Sequence, residues 1–312
     1  MIQQQAFKDS KKMLKGALHC HTTRSDGRLT PQEAVGIYKE HNYDFVAITD
    51  HRKYNFENYA AETGVLIIPA MEYDAFIERD EYGRRCHHTV CLGPLKEDGN
   101  GFEQDEFGPE GTKVVTNETY QHYLDEFHRK GNLTIHAHPE WSCTPPALFA
   151  NLRGNVAMEI YNTVSDTKHD CDNDGFYWDE VLGMGKKLWG VAADDAHGAQ
   201  HFGKAWVMVN ADKDINSILQ AIREGKFYSS TGPEIYNFYV DDDYTAHIEC
   251  SPAAKIRLHG VKHPNRIKRA DGEFLTEAQF KLETKTGGYK YCRMSVVDEN
   301  GKIAWTNPIF FD

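Results

Sequence analysis

Eight short apolar runs punctuate residues 16–231, and helix signals fill several of the gaps between them. The runs are 16–20 (GALHC), 44–49 (DFVAIT), 65–72 (VLIIPAME), 88–92 (HTVCL), 132–136 (NLTIH), 156–160 (VAMEI), 188–193 (LWGVAA) and 205–209 (AWVMV). Each has strand length and is rich in Val, Ile, Leu or aromatic residues. Thr30-Pro31 starts a helix over 31–41, and Asn117 caps another over 118–130 that stops at Gly131. Asp212 or Asp214 opens a third over 215–224, with Gly225 as its stop. Strands alternating with helices predict parallel β/α architecture, as a barrel or a doubly wound sheet.

A chain of 312 residues has room for two domains, or for one barrel and an appendage. Beyond Pro233 the texture changes. Short runs at 235–240, 245–249, 254–259, 278–283, 290–298 and 302–306 are separated by turn-like segments, and Asp298-Glu299-Asn300-Gly301 reads as a hairpin loop. The expected division is a barrel over 1–232 and a small antiparallel, sandwich-like β-domain over 233–312. Residues 95–117 are acidic and aperiodic, the pattern of a lid or a disordered insertion.

The formal charge is −12 and the sequence pI near 5.7. That balance argues against non-specific binding to duplex nucleic acid or anionic lipid, which needs basic surface. No apolar run has the length of a signal peptide or a membrane span. The seven cysteines are scattered, odd in number and free of C-x-x-C pairs, which fits a reducing cytoplasm. Histidine stands out: there are 16, and 13 of them fall within residues 1–201.

The histidines gather where strands end. His19 and His21 close the first run as H-x-H. Residues i and i+2 of a strand face the same way, so both imidazoles can reach one cation, while Cys20 turns into packing. Ser25-Asp26-Gly27 follows. The second run ends Thr49-Asp50-His51, the third Ala70-Met71-Glu72, the fifth His136-Ala137-His138-Pro139 and the seventh Asp194-Asp195-Ala196-His197, while the fourth begins His87-His88. Sites in β/α folds form at the C-terminal ends of strands. Parity makes Asp195, on the face of His197, the better ligand and leaves Asp194 a hydrogen-bonding support. Parity does not separate His136 from His138. Nitrogen and carboxylate ligands without thiolates suit Zn, Mn or Fe, and a shared carboxylate suits a multinuclear site. No nucleophile elbow, P-loop or dinucleotide fingerprint competes.

In order, H-x-H, S-D-G, T-D-H, Glu, His, H-P and D-x-H resemble the PHP family (polymerase and histidinol phosphatase) over roughly residues 15–231. The resemblance implies a distorted seven-stranded β/α barrel with two to three divalent metal ions, mostly in phosphoester hydrolases. It implies His19, His21, Glu72 and Asp195 around a first metal. Glu72 then bridges to a second, held by His88 and His138, and Asp26, His51 and His197 surround a third. Many members carry His where Asp26 stands. His138 is preferred because the family's ligand directly precedes Pro.

The function this implies is hydrolysis of a small phosphomonoester or phosphodiester by a metal-bridging hydroxide, with Asp195 and His197 in the catalytic roles. Arg52, Tyr161, Asn162 and the first members of the two histidine pairs, His87 and His136, are assigned to the substrate. The segment Gly225–Glu234 (GKFYSSTGPE) and Trp305-Thr306-Asn307-Pro308 are similar to a branch that includes carbamate-pesticide hydrolases. A carboxyl- or carbamate-ester substrate is therefore the alternative, and a non-catalytic metal- or ligand-binding module is another. Read structurally, Thr231-Gly232-Pro233 is a domain junction. The expected partner is a small anionic or ester molecule, not a duplex nucleic acid or a membrane.

Overall fold

The computed structural model describes residues 4–7, 13–80, 83–94, 113–171, 174–260, 266–282 and 288–311. Most of the expected lid, 95–112, lies outside them. The first part of the chain runs β1 (Gln4–Phe7), β2 (Met13–Ala17), α1 (Pro31–Glu40), β3 (Phe45–Ala47), β4 (Leu66–Ile68), β5 (Ala70–Asp80), β6 (Gly83–Leu92), β7 (Lys113–Val115), α2 (Asn117–Arg129) and β8 (Leu133–His136). It continues α3 (Pro146–Ala150), β9 (Ala157–Asn162), α4 (Thr163–His169), α5 (Asp174–Gly183), β10 (Trp189–Ala193), β11 (Trp206–Asn210), α6 (Ile215–Glu224) and β12 (Phe227–Ser230). Then come β13 (Ile235–Val240), β14 (Thr245–Ala253), β15 (Lys255–His259), β16 (Arg266–Arg269), β17 (Leu275–Lys281), β18 (Tyr291–Val297), β19 (Ile303–Thr306) and β20 (Ile309–Phe310).

Local signals explain most of the helices. Thr30 and Glu33 form a reciprocal capping box at α1, with Pro31 at its first turn. Asp214 caps α6, and Gly225 ends it at φ 71°. On α2 the cap is Thr116, whose hydroxyl accepts from the Thr119 amide, one residue before the expected Asn117. Tyr120, Leu124 and Phe127 then give α2 its buried stripe.

The ladders form two main sheets of mixed direction, where the sequence suggested parallel strands in a barrel or a doubly wound sheet. One has six strands, in the order β10-β9-β8-β6-β5-β7. The expected third run is broken at Pro69, and β5 continues to Asp80 as half of a long antiparallel hairpin with β6. As a result β6 is antiparallel to both of its neighbours, β5 and β8. The other sheet has ten strands and includes the parallel trio β2-β3-β4.

Two isolated parallel bridges join the sheets, Cys20 past the end of β2 to Ala196 past the end of β10, and His51 past the end of β3 to Glu72 near the start of β5. Between the sheets, Leu18, Phe45, Ile68, Val90, Ile135, Ala157, Val191 and Val207 pack into one apolar cluster. The interior is thus shared, and its upper end is where the two bridges lie.

The ten-stranded sheet also runs past residue 232. From β2 it continues through β11 and β12 to β19, β18, β15 and β16. A third sheet, β1-β13-β14-β17, brings the N-terminal strand onto the C-terminal region. The two resembling segments meet at this junction. Asn307 Oδ1 accepts the Gly190 amide at 2.9 Å, and its Nδ2 donates to the carbonyls of Gly225 (3.1 Å) and Phe227 (3.0 Å). Ser229 Oγ donates to Gly190 O at 2.8 Å, and Thr231 pairs with Ile303 in both directions. All seven cysteines are free thiols. No helix among the described residues is long and apolar enough to cross a membrane.

Candidate metal centre

The strand ends beside the two bridges open into a cleft of about 220 Å³. His21, Asp26, His51, Glu72, His88, His138, Asp195 and His197 line it, with Trp141, Val164, Ser165, Lys168 and His169. His19 lies in its floor at 0% exposure. All nine side chains assigned as ligands are therefore in one place. Their donor atoms form four overlapping groups in which every atom is within 4.8 Å of the others: His19, His21 and Glu72; His19, His138 and Asp195; His21, Asp26 and His197; and His51, Glu72 and His88. These cut across the implied partition, since His138 groups with His19 and Asp195, and His51 with Glu72 and His88.

Glu72 is the hub. Its Oε1 lies 2.9 Å from His88 Nδ1 and 3.3 Å from His138 Nε2, and its Oε2 lies 3.2 Å from His51 Nδ1 and 3.3 Å from His21 Nε2. Asp195 Oδ1 is 3.2 Å from His21 Nε2 and 3.3 Å from His19 Nε2. Asp26, half exposed, reaches His21 at 3.3 Å and His197 at 3.3 Å.

This arrangement fits divalent cations better than a hydrogen-bond network. Asp195 Oδ1 and His51 Nδ1 are closed to solvent and make no hydrogen bond among the described residues, although several polar atoms lie nearby. His19 Nε2 and His21 Nε2 face each other at 3.1 Å. The charge balance agrees. Burial disfavours a charged His19, but Asp195, Glu72 and Glu159 override it and raise the imidazole to about 10. His21 and His88 are likewise held well above the usual histidine range against burial. Burial would push Glu72 and Asp195 up, yet the surrounding imidazoles hold both below the carboxylate range. The carboxylates therefore call for positive charge, which cations supply when they displace the imidazole protons.

The backbone is bent to serve the cleft. Arg52 (φ 57°), His138 (φ 26°) and Asp195 (φ 50°) occupy the left-handed region at the ends of three runs. Each such residue costs on the order of 1–2 kcal/mol. Each is held by its own amide: Arg52 N donates to Glu72 O at 2.8 Å, His138 N to Glu159 Oε2 at 2.9 Å and Asp195 N to His19 O at 3.1 Å. Gly27 of S-D-G packs so close that a Cβ there would lie 2.4 Å from His21 O. The glycine thus lets the Asp26 loop fold against the H-x-H segment.

Several supporting residues were not read from the sequence. Glu159 accepts from His19 Nδ1 and from the His138 amide. Asp50, within T-D-H, accepts from the amide and hydroxyl of Thr22, from those of Ser25, and from Asn55 Nδ2. Asp74 stands 3.0 Å from His51 Nδ1. It follows Glu72 by two on β5, so strand parity was a signal for it. Trp141, Lys168 and His169 carried no motif. Asp194 takes the support role expected of it, accepting the amides of Gly203, Lys204 and Ala205.

The substrate assignments need correction. His87 and His136 are both 0% exposed and lie away from the cleft. His87 bonds Asn117 Oδ1 at 2.7 Å and packs on Tyr120, and His136 stacks on Phe149 at 4.3 Å. Burial holds His87 down at about 4 and His136 well below the usual range, so both rings are neutral packing. The pleat decides this: His88 faces the cleft, so His87 faces the other way. Arg52 pairs with Asp74 instead of lining the cleft. Tyr161 donates to Asp166 and stacks on Trp305. Asn162 Nδ2 donates to Glu159 Oε2 at 2.8 Å and Asp195 Oδ2 at 3.2 Å, which makes it a positioner of ligands.

No protein-family description and no curated protein matches the sequence. Among solved structures, an amidohydrolase from Chromobacterium violaceum is 15% identical over 68% of this chain and 96% of its own, with a TM-score of 0.45. A two-domain protein from Bacteroides vulgatus, containing a predicted PHP-like metal-dependent phosphoesterase, is 13% identical over 99% of this chain and 98% of its own, with a TM-score of 0.50. This chain therefore shares, over nearly its whole length, the fold of a two-domain protein with a PHP-like domain.

Proposed function

We propose that the chain is a metal-dependent hydrolase acting on a small phosphomonoester or phosphodiester. The observation that carries this reading is the convergence of nine ligand-type side chains on one open cleft, five of their histidines standing around Glu72. His19, His21, Asp26, His51, Glu72, His88, His138, Asp195 and His197 would hold two to three divalent cations of the Zn, Mn or Fe class. When bound, such cations supply Lewis acidity toward a phosphoryl group and a water nucleophile near neutral pH.

The chain's own residues prepare that chemistry. Glu159 accepts from His19 Nδ1, which turns the lone pair of Nε2 into the cleft. Asn162 occupies Asp195 Oδ2 and leaves Oδ1 for a cation. His197 Nδ1 donates to Asp195 O at 2.7 Å, so its Nε2 points toward Asp26. Lys168 is the one lysine or arginine among the described lining residues, placed to take an anionic oxygen of the substrate. Trp141 walls the same cleft, its ring 5.0 Å from His138 and 5.5 Å from His88. In this reading residues 1–232 are the hydrolase unit and 233–312 a cover, which the shared sheet and the Asn307 bonds favour.

A panel of aryl phosphates, phosphodiesters, carboxyl esters and carbamates tests the substrate class. Phosphate-ester turnover that disappears with chelator and in Asp195→Asn supports the reading. Carbamate or carboxyl-ester turnover with inert phosphates would replace it with the alternative.

A further inference from the structure

A second pocket opens at the other end of β9 and β10, before the first residue of each strand. It measures about 230 Å³ and is lined by Phe149, Leu152, Arg153, Asn155, Lys186 and Lys187, among others. β9 has six residues, so at about 3.3 Å per residue roughly 20 Å of strand separates this pocket from the cleft. None of the residues above that form the metal centre lines it.

Three features set the pocket apart. In a chain of net charge −12, the charged residues among its described lining are Arg153, Lys186 and Lys187, with no carboxylate among these described residues. Its apolar side is preformed, since Phe149 and Leu152 are 2% and 4% exposed. Asn155 lines it with both amide atoms, Nδ2 and Oδ1, closed to solvent and without a hydrogen-bond partner among the described residues. An unpaired buried amide is costly, and a ligand that supplies its partners removes the cost.

The loop that carries these groups is also fixed in place. Gln121 accepts the Arg153 amide at 2.7 Å and donates to the Arg153 carbonyl at 3.2 Å. Lys186 Nζ reaches Leu152 O at 3.4 Å.

We propose that this pocket binds a small organic anion, a carboxylate or phosphate carried on an apolar body, with Asn155 as its hydrogen-bonding anchor. The cations neutralise the head group, the Asn155 amide turns into the pocket to donate to it from Nδ2, and Phe149 and Leu152 cover the body. The site is independent of the hydrolytic reading.

Calorimetric titration with benzoate and with phenylphosphonate tests it, using full-length wild type, Arg153→Ala/Lys186→Ala, Asn155→Leu and Asp195→Asn. Saturable binding is expected in wild type and in Asp195→Asn. It should weaken by about tenfold or more in the double variant and in Asn155→Leu. Asn155→Leu removes an unpaired amide, so its fold is expected to survive, and thermal melting checks this. No saturable binding by wild type, equal binding by all four proteins, or loss confined to Asp195→Asn would overturn the proposal.

Discussion

His19 Nδ1 lies 2.7 Å from Glu159 Oε1, and the other oxygen of Glu159 accepts the His138 amide at 2.9 Å. One carboxylate on β9 thus sets both the tautomer of a floor imidazole and the left-handed backbone that presents a second one. Glu159→Gln keeps the size but no longer stabilises the charged donor. Metal affinity or turnover is expected to fall about 10–100-fold. Titration of metal-stripped protein checks this, and an unchanged affinity and rate would remove Glu159 from the account.

Lys168 is placed to contact the substrate without touching the donor cluster. Losing a charge-assisted hydrogen bond costs about 1.5–3 kcal/mol, so Lys168→Ala should raise KM for an aryl phosphate by roughly tenfold or more. Bound metal and kcat should change little. Because Lys168 is exposed, the wild-type advantage should shrink with added salt. Steady-state kinetics at low and high salt separates this outcome from a general loss of activity.

Much of this site was legible because ligand chemistry is local. H-x-H, T-D-H and H-P place donors at strand ends, where period-two geometry fixes the facing. The choice of His88 over His87 was a question of pleat, and the run His88–Leu92 had too little polar contrast to settle it. Glu159 was not legible, because its bond to His19 spans 140 residues of sequence. Thr116 and Asn117 both suit the cap of α2, so residue type alone does not choose between them. The β5–β6 hairpin is not legible in the sequence because the β/α alternation around it favours parallel pairing. The left-handed residues Arg52, His138 and Asp195 carry no glycine to announce them.

Asp179 on α5 holds the C-terminal strands. Arg293 donates to it through Nε at 2.8 Å and through Nη2 at 2.6 Å, and Tyr291 donates at 3.0 Å. Burial raises the Asp179 carboxyl, but Arg293 and His259 outweigh it and hold it well below its ordinary range. A depressed carboxylate stabilises the fold above its unfolded value of about 3.9 and loses that contribution as pH falls through its folded value. Wild type should therefore lose stability below about pH 4 more steeply than Arg293→Met does. At neutral pH Arg293→Met, which leaves Asp179 without its cation, should be less stable by about 3 kcal/mol. Denaturant melts across that pH range test both statements, and parallel slopes would contradict them.

Asn307 ties the last segment to β10 and to the chain around α6 and β12. Asn307→Ala leaves the Gly190 amide and two carbonyls short of a partner, each worth about 1–3 kcal/mol if it stays buried. The melting temperature should fall, while turnover at low temperature persists. Loss of turnover in a fully folded variant would instead give this segment a part in the chemistry.

The central claim is that the cluster around Glu72 holds divalent cations that enable hydrolysis. The most direct measurement loads metal-stripped protein stepwise with Zn, Mn or Fe(II) and follows bound metal per chain together with aryl phosphate hydrolysis. The account predicts that more than one cation binds per chain, that turnover rises with loading, and that Asp195→Asn loses both a bound cation and the turnover. Hydrolysis independent of added metal, or a wild-type chain that binds none, would contradict it.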